Sequence, residues 1–367
     1  MQKIEKILIA LVVIIVLIGV AYFLFSFQKT KIVQPQAIKI GVMVPLSGES
    51  SSYGFPIQKG ILLAKKNFNE DNIEIVTEDS GCDKDKAITA VNKLVADGVV
   101  AIIGEVCSGA SMAALPIAEA HKIIMVSPAS TNPGLSGKSN FFFRTVPSDA
   151  LQGVFAADLL AKDGFKKIGI IYSNEPYGVG FEKVLKENIV RNGGIVASSV
   201  AVESNKIDLK SEVGTIKKSN PDAIYLVSNS PTASIAAIRE IRSQGIKVKI
   251  FGSEAVKSQT ILDEVGNLSD GIIVSSLNSG SKSFIDAYKI EYGSEATTFV
   301  AQAYDAFTAI YLATQTGATT GEGIKSAIRD VSFDGVTGHI QFDTNGDPKG
   351  SYDLFVAKDG SFIPLEQ

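Results

Sequence analysis

Residues 38–54 read IKIGVMVPLSGESSSYG, and residues 168–178 read IGIIYSNEPYG. In each, a run without polar alternation ends in a loop carrying serine, glutamate, tyrosine and glycine. A continuous apolar strand suits a sheet buried on both faces. The likeness continues in order. DGVVAIIGEVCSGASMAAL (97–115) has a counterpart in NPDAIYLVSNSPTASIAAI (220–238), and KIIMVSPAST (122–131) in VKIFGSEAVK (248–257). Strand starts near 39, 99 and 123 are answered by starts near 168, 222 and 249. This is no solenoid period. It marks two lobes of one shared topology.

Around these repeats, strands alternate with helical patterns. Further strands are expected at 73–79 and 271–276, and helices at 85–97, 111–122, 179–193 and 232–245. After the first loop, Ile57, Ile61, Ala64 and Phe68 recur at helical spacing on one face. Such alternation predicts an α/β fold with doubly wound parallel sheets. The tail differs: HIQFD, YDLFVAK and SFIPL, punctuated by NGD and KDG, read as antiparallel strands. The chain has 367 residues, enough for two domains or one large one, and 45% are hydrophobic. Net charge is −4, and no basic stripe interleaves with aromatics, which argues against nucleic acid as a partner.

At the N-terminus, residues 7–27 read ILIALVVIIVLIGVAYFLFSF, uncharged, after Lys3 and Lys6. About 20 apolar residues span a bilayer as a helix, with the positive flank inside. A cleaved signal peptide is the competing reading. The run exceeds the usual signal core and its cleavage signal is poor, which favours a retained single-pass anchor at the cell membrane. No cysteine follows the run to carry a lipid. Residues 28–37, QKTKIVQPQA, read as a tether. Either way the remainder is extracytoplasmic, where Cys82 and Cys107 make one disulfide or remain two buried thiols.

Ligands of open parallel sheets bind beyond the carboxyl ends of the strands. That rule selects Ser47–Tyr53, Val106–Ser111 and Ser127–Thr131 in one half, and Asn174–Tyr177, Ser228–Ser230 and Ser253–Glu254 in the other. Facing each other, these loops line one cleft. Ser108 opens a helix, where it either caps the helix or donates to an anion beside free amides. Glu254 either accepts from an ammonium group or is a solvated loop charge. Tyr53 and Tyr177 either wall the ligand or pack structurally.

Over Ile38 to Asp353 the sequence resembles the leucine/isoleucine/valine-binding family, the type I periplasmic binding proteins of branched-chain amino acid ABC transporters. The opening strand and loop, the stretch EDSGCDKDKAITAVNKLVADGVVAIIGEVCSG (78–109), the loop SPASTNPGLS (127–136) and SFIDAYKIEYGSEATTFVAQAYDA (283–306) carry the resemblance. It implies a Cys82–Cys107 disulfide. It implies that Ser108 and Thr131 hold a ligand carboxylate, that Ala129 uses its backbone and that Glu254 pairs with the ammonium. Tyr53, Tyr177 and Phe299 would be walls. The implied fold is two lobes joined by three crossovers, near Pro147, Ser276 and Val331–Asp334. Residues 38–147 plus 277–333 would then form the first lobe, and 148–276 plus 334–367 the second, after a membrane segment at 1–27. An ABC permease is the implied partner, and no cofactor is implied. One departure is Asn229, where leucine binders have an aromatic. With Glu105 standing near the cleft, it suggests a polar or small ligand, because an unpaired buried amide costs about 1–3 kcal/mol.

Catalysis reads poorly. Cys107 sits at a strand-to-helix turn, but neither histidine, His121 or His339, falls in a cleft loop to serve it as a base. No His/Cys/Asp cluster has metal-ligand spacing. The acidic run Glu78, Asp79, Asp83, Asp85 reads as a solvated loop, and PLSGESSSYG is not the dinucleotide fingerprint. The expectation is solute capture by jaws that swing about the crossovers. The alternative is a sensor ectodomain signalling through a separate membrane partner. The sequence to Gln367 holds no second apolar span or output domain, which favours capture.

Overall fold

The structure, a computed structural model, describes residues 2–26 and 37–365. Residues 28–36 of the expected tether lie outside the described residues. The chain divides into two compact units, 1–37 and 38–367. The first unit contributes one helix, α1 (Gln2–Ser26). Its Gln2–Tyr22 portion is long and apolar enough to cross a membrane, a property that signal sequences share.

The second unit begins with β1 (Ile38–Val44), α2 (Ser51–Phe68), β2 (Ile73–Asp79), α3 (Lys84–Ala96), β3 (Ala101–Gly104), α4 (Ser108–Ala120), β4 (Ile124–Ser127) and β5 (Phe142–Arg144). The strands form a parallel sheet in the order β2-β1-β3-β4-β5. Ile40, Val42, Met43 and Val44 of β1 are fully buried, as a strand covered on both faces requires. On α2, Ile57, Ile61 and Ala64 are buried at the expected helical spacing.

The chain then leaves this sheet. It builds α5 (Asp149–Lys162), β6 (Lys167–Ser173), α6 (Pro176–Arg191), β7 (Ile195–Val202), α7 (Lys210–Lys218), β8 (Ala223–Val227), α8 (Pro231–Ser243), β9 (Lys249–Gly252), α9 (Gln259–Val265) and β10 (Ile273–Ser276). It returns through α10 (Lys282–Tyr292), α11 (Val300–Thr314), α12 (Gly321–Ile328) and the hairpin β11 (Ser332–Gly335) and β12 (Gly338–Gln341). It ends with β13 (Asp353–Lys358) and β14 (Ser361–Pro364). The second sheet runs β14-β13-β10-β9-β8-β6-β7, with only β13 and β14 antiparallel. In both sheets the first strand built is flanked by the next two, β1 by β2 and β3, and β6 by β7 and β8. The sequence repeat aligns β1 with β6, β3 with β8 and β4 with β9.

One boundary differs from expectation. Residues 334–347 do not join the second lobe. Ile340 and Phe342 bury in the first core, and Phe342 packs edge-on to Phe143 at 5.3 Å. Asp305 of α11 accepts from the amides of Val336 at 2.8 Å and Thr337 at 3.0 Å, which pins the hairpin to the first lobe. Of the three tail strands, HIQFD therefore pairs in this hairpin, and the third crossing comes after Asp347. The sequence reading also passed over β5, α5, β7, α7, α9, α12 and β11. The short β5 and the half-buried β7 give little periodic signal.

Arg144, at the end of β5, is fully buried. Its Nε donates to Asp347 Oδ1 at 2.7 Å and its Nη2 to Asp347 Oδ2 at 3.0 Å, while Nη1 donates to the carbonyls of Ser130 at 3.0 Å and Asn132 at 3.1 Å. Breaking one side of a buried pair leaves the other charge uncompensated. Asp347→Ala is expected to cost about 3–5 kcal/mol in urea unfolding followed by circular dichroism. A loss under about 1 kcal/mol would show that the carbonyls alone satisfy the guanidinium.

Candidate functional site

The carboxyl ends of β1, β3 and β4 face those of β6, β8 and β9 across a small cavity. Ser50 and Tyr53 enter it from the start of α2, Val106, Cys107 and Ser108 from the β3–α4 turn, and Ala129 from the loop after β4. The other lobe contributes Tyr177 from the first turn of α6, Asn229 after β8, and Glu254 and Ala255 after β9. Phe299, just ahead of α11, closes one side. It holds φ at 73°, a left-handed conformation rare for an aromatic residue, and its ring meets Tyr53 edge-on at 6.4 Å. Cys107 is bonded to Cys82, their Cα atoms 5.4 Å apart, so the disulfide sits in the cavity wall.

Seven of the eight expected ligand residues line this cavity, and Thr131 stands behind it, 1% exposed. Ser108 does not cap its helix. Cys107 is the N-cap residue, and Ser108 Oγ accepts from the Asn132 amide at 3.2 Å. The first intrahelical bond of α4 is Ser111 N–H to Cys107 O at 2.9 Å, so the amides of residues 108–110 precede the hydrogen-bonded ladder. Glu105 is not a cleft residue. It is fully buried, accepting from Ser80 Oγ at 2.6 Å and from the Cys107 amide, and it braces the disulfide loop. Burial pushes its carboxyl up to about 7. The acidic run lies at the surface as expected, with Asp83 and Asp85 exposed and Glu78 and Asp79 half-buried. Asp79 accepts from the amides of Leu46 and Gly81, and Asp83 caps α3.

The lobes touch around the cavity. Tyr53 Oη donates to Ala255 O at 3.0 Å, and Asn132 Nδ2 donates to Pro176 O. Small residues permit this approach. A Cβ on Gly109 would lie 3.2 Å from the Pro176 ring, and one on Gly180 would overlap the Asn132 amide.

Charge is concentrated on one side. Glu254 is 1% exposed, and its Oε1 accepts from Tyr177 Oη at 2.9 Å. Burial pushes Glu254 up to about 7. The sequence reading missed its partner, Asp149, fully buried in the first turn of α5. Burial, and then the Glu254 charge, raise Asp149 well above the usual carboxylate range, opposed by Thr131 and Arg144. Asp149 follows a capping serine, Ser148, and so resembles an ordinary helix-start acid in sequence. Both Asp149 oxygens, Glu254 Oε2 and Tyr352 Oη are buried without a well-formed protein hydrogen bond, although Thr131 stands beside Asp149 and Gln152 beside Glu254. Such groups are rare in a folded protein and are usually met by ordered water or a ligand. Among them, acceptors outnumber donors, which suits an ammonium group. Opposite stand Ser108 and the start of α4, which suit a carboxylate. Glu175, mostly buried and raised by that burial, is relieved by the Asn229 side chain beside it.

Comparison with known proteins identifies the family and the fold. Residues 37–361 match the family model described as periplasmic binding protein. The chain is 28% identical over 335 residues to the leucine-, isoleucine-, valine-, threonine- and alanine-binding protein of Pseudomonas aeruginosa, covering 87% of this chain and 89% of that one. It is 27% identical over 326 residues to the Leu/Ile/Val-binding protein of Escherichia coli K12, covering 85% and 88%. The crystal structure of the leucine-binding protein LivK from Thermotoga maritima superposes with a TM-score of 0.85 at 29% identity, covering 90% of this chain and 98% of that one. With two matched sheets, a shared cavity and this coverage, the chain belongs to the periplasmic binding protein family, has its type I fold, and is similar to leucine/isoleucine/valine-binding proteins.

Proposed function

We propose that the chain captures one zwitterionic amino acid with a short side chain in the inter-lobe cavity and delivers it to an ABC permease. The observation that carries this reading is the polarity of the cavity. Hydroxyl and amide donors at Ser108 and the start of α4 stand on one side, and Glu254 on the other, with Asp149 buried near it outside the lining. In this reading Ser108 holds the carboxylate with the Ala129 backbone, Glu254 holds the ammonium, and Thr131 and Asp149 stand behind them. Tyr53, Tyr177 and Phe299 enclose the ligand. Val106, Ala255 and Phe299 give its side chain an apolar surround. Asn229 has Glu175 beside it as a partner and does not call for a polar ligand. Valine, threonine and alanine fit that surround. Closure would stabilise the bound state because only the closed lobes offer both ends at once.

Calorimetry with L-valine, L-threonine and L-alanine is expected to show binding, and Glu254→Gln to weaken it at least about tenfold, since a charge-assisted bond is lost. Binding of asparagine or glutamine alone would overturn the ligand class, and binding of no amino acid would overturn the function.

The acids also set a pH dependence. A ligand ammonium favours ionised Glu254, so below about pH 7 capture must expel a proton. Affinity is expected to rise from about pH 5.5 to 7, at most about tenfold per pH unit for each proton expelled, and then to level off. Folding has the opposite sign. A carboxyl raised from 4.5 to about 7 stabilises the ligand-free protein below the lower value, and that contribution is lost as pH rises through the higher one. Calorimetry in buffers of differing ionisation enthalpy reads the proton directly, and a flat affinity without proton release would refute the assignment.

We further propose that α1 is retained as an anchor, supported by its 25 residues, about 38 Å of helix. Confinement would raise the effective concentration of captured ligand at the permease. The mature protein is expected in the membrane fraction with residues 2–26 still attached. Recovery of a shortened soluble form would overturn this.

A further inference from the structure

Glu49 lies in the loop between β1 and α2, and its exposed side chain crosses the cleft mouth to the other lobe. Its Oε1 and Oε2 each stand 3.2 Å from Ser230 Oγ, and Oε2 accepts from the Thr232 amide at 3.3 Å. Ser230 is the N-cap residue of α8, its Oγ accepting from the Ala233 amide at 3.1 Å, and Pro231 at the first helical position has no N–H. The Thr232 amide is therefore the first donor of a 13-residue helix, where the aligned peptide dipoles favour a negative charge. The hydroxyl hydrogen of Ser230 also has the Ser204 carbonyl within reach, which leaves the Thr232 amide as the committed donor.

Both ends of this contact adjoin the cavity. Ser50 and Tyr53 follow Glu49 closely and line it, as does Asn229, the residue before Ser230. The turn is shaped by Gly48 at φ 75°, whose carbonyl accepts from the Ser51 amide at 3.2 Å and hydroxyl at 2.7 Å. The helix start it feeds also sends Tyr53 Oη to Ala255 O at 3.0 Å. One short stretch thus makes two bonds to the opposite lobe, and both exist only while the lobes are together.

We propose that Glu49 and the amino end of α8 form a latch across the cleft mouth that sets how long a captured ligand stays. The proposal rests on the reading of the cavity as a capture site. Because the latch forms on closure, its loss speeds opening and leaves encounter nearly unchanged. Because the carboxylate is exposed, salt weakens it.

The test uses the full chain in detergent, with two arms. In the first, spin labels at I290C and V190C, exposed positions on opposite lobes, report the closed-to-open ratio with no ligand added. E49A is expected to lower that ratio about two- to fivefold, the range of a charge at a helix start. About 0.5 M salt should lower it in the parent protein and leave E49Q unchanged. In the second arm, L-valine dissociation measured by stopped flow should speed up by the same factor. A structural role for Glu49 would lower thermal stability without this salt pattern. Equal ratios in parent, E49A and E49Q at low and high salt overturn the latch. Failure of the parent protein to bind L-valine counts against the ligand assignment, and the spin labels still decide the latch.

Discussion

The buried guanidinium of Arg144 ties together parts of the molecule that are far apart in sequence. It ends the last strand of the first sheet, just before the chain crosses to the second lobe. Its ion pair with Asp347 holds the segment that leads into the last crossing. Its bonds to the carbonyls of Ser130 and Asn132 hold the loop that carries Ala129 and Thr131. An apolar side chain could fill the same space, but it would leave the Ser130 carbonyl without the guanidinium and the Asp347 charge uncompensated. Loop shape at the cavity and chain geometry at the hinge therefore share one cause, and this is where a charge in the core gives what packing alone does not.

The cavity splits its chemistry between lobes. Hydroxyls and helix amides belong to the first lobe, Glu254 to the second, and Asp149 sits at the junction. Two neighbouring carboxylates repel and are costly to ionise without water, which is why burial raises both. An entering cation reverses that balance. In the proposed reading, a zwitterion of the right length would relieve this electrostatic deficit, and a half-site on one lobe alone would not. This links the ordering of the acids to the closing of the jaws.

Much of this was readable in the residues. The unbroken apolar runs at 38–44 and 168–173 identified parallel strands, and the repeat of 97–115 in 220–238 identified paired lobes, because two copies of one topology keep the same strand-end chemistry. Ser108, Tyr53, Tyr177 and Glu254 stood out because they follow strands. Asp149 did not, since it opens a helix behind a capping serine, and the short strand before it, β5, gave no periodic signal. Glu105 misled in the other direction. Near the cleft in sequence, it turns inward to Ser80 and the Cys107 amide, a choice fixed by packing across the sheet. The hairpin at 332–341 misled because its attachment depends on Asp305, about 30 positions upstream, and no local pattern announces that bond.

The glycines at the rim carry a consequence for how such a protein could drift. Gly109 and Gly180 let the lips of the cleft meet at near contact distance. Bulk added there would prop the jaws ajar without altering any atom that faces the ligand. Affinity could then slide across generations while the recognition chemistry stayed intact. A lineage facing scarce or abundant food could retune its grip by swapping hydrogens for methyls at the lip.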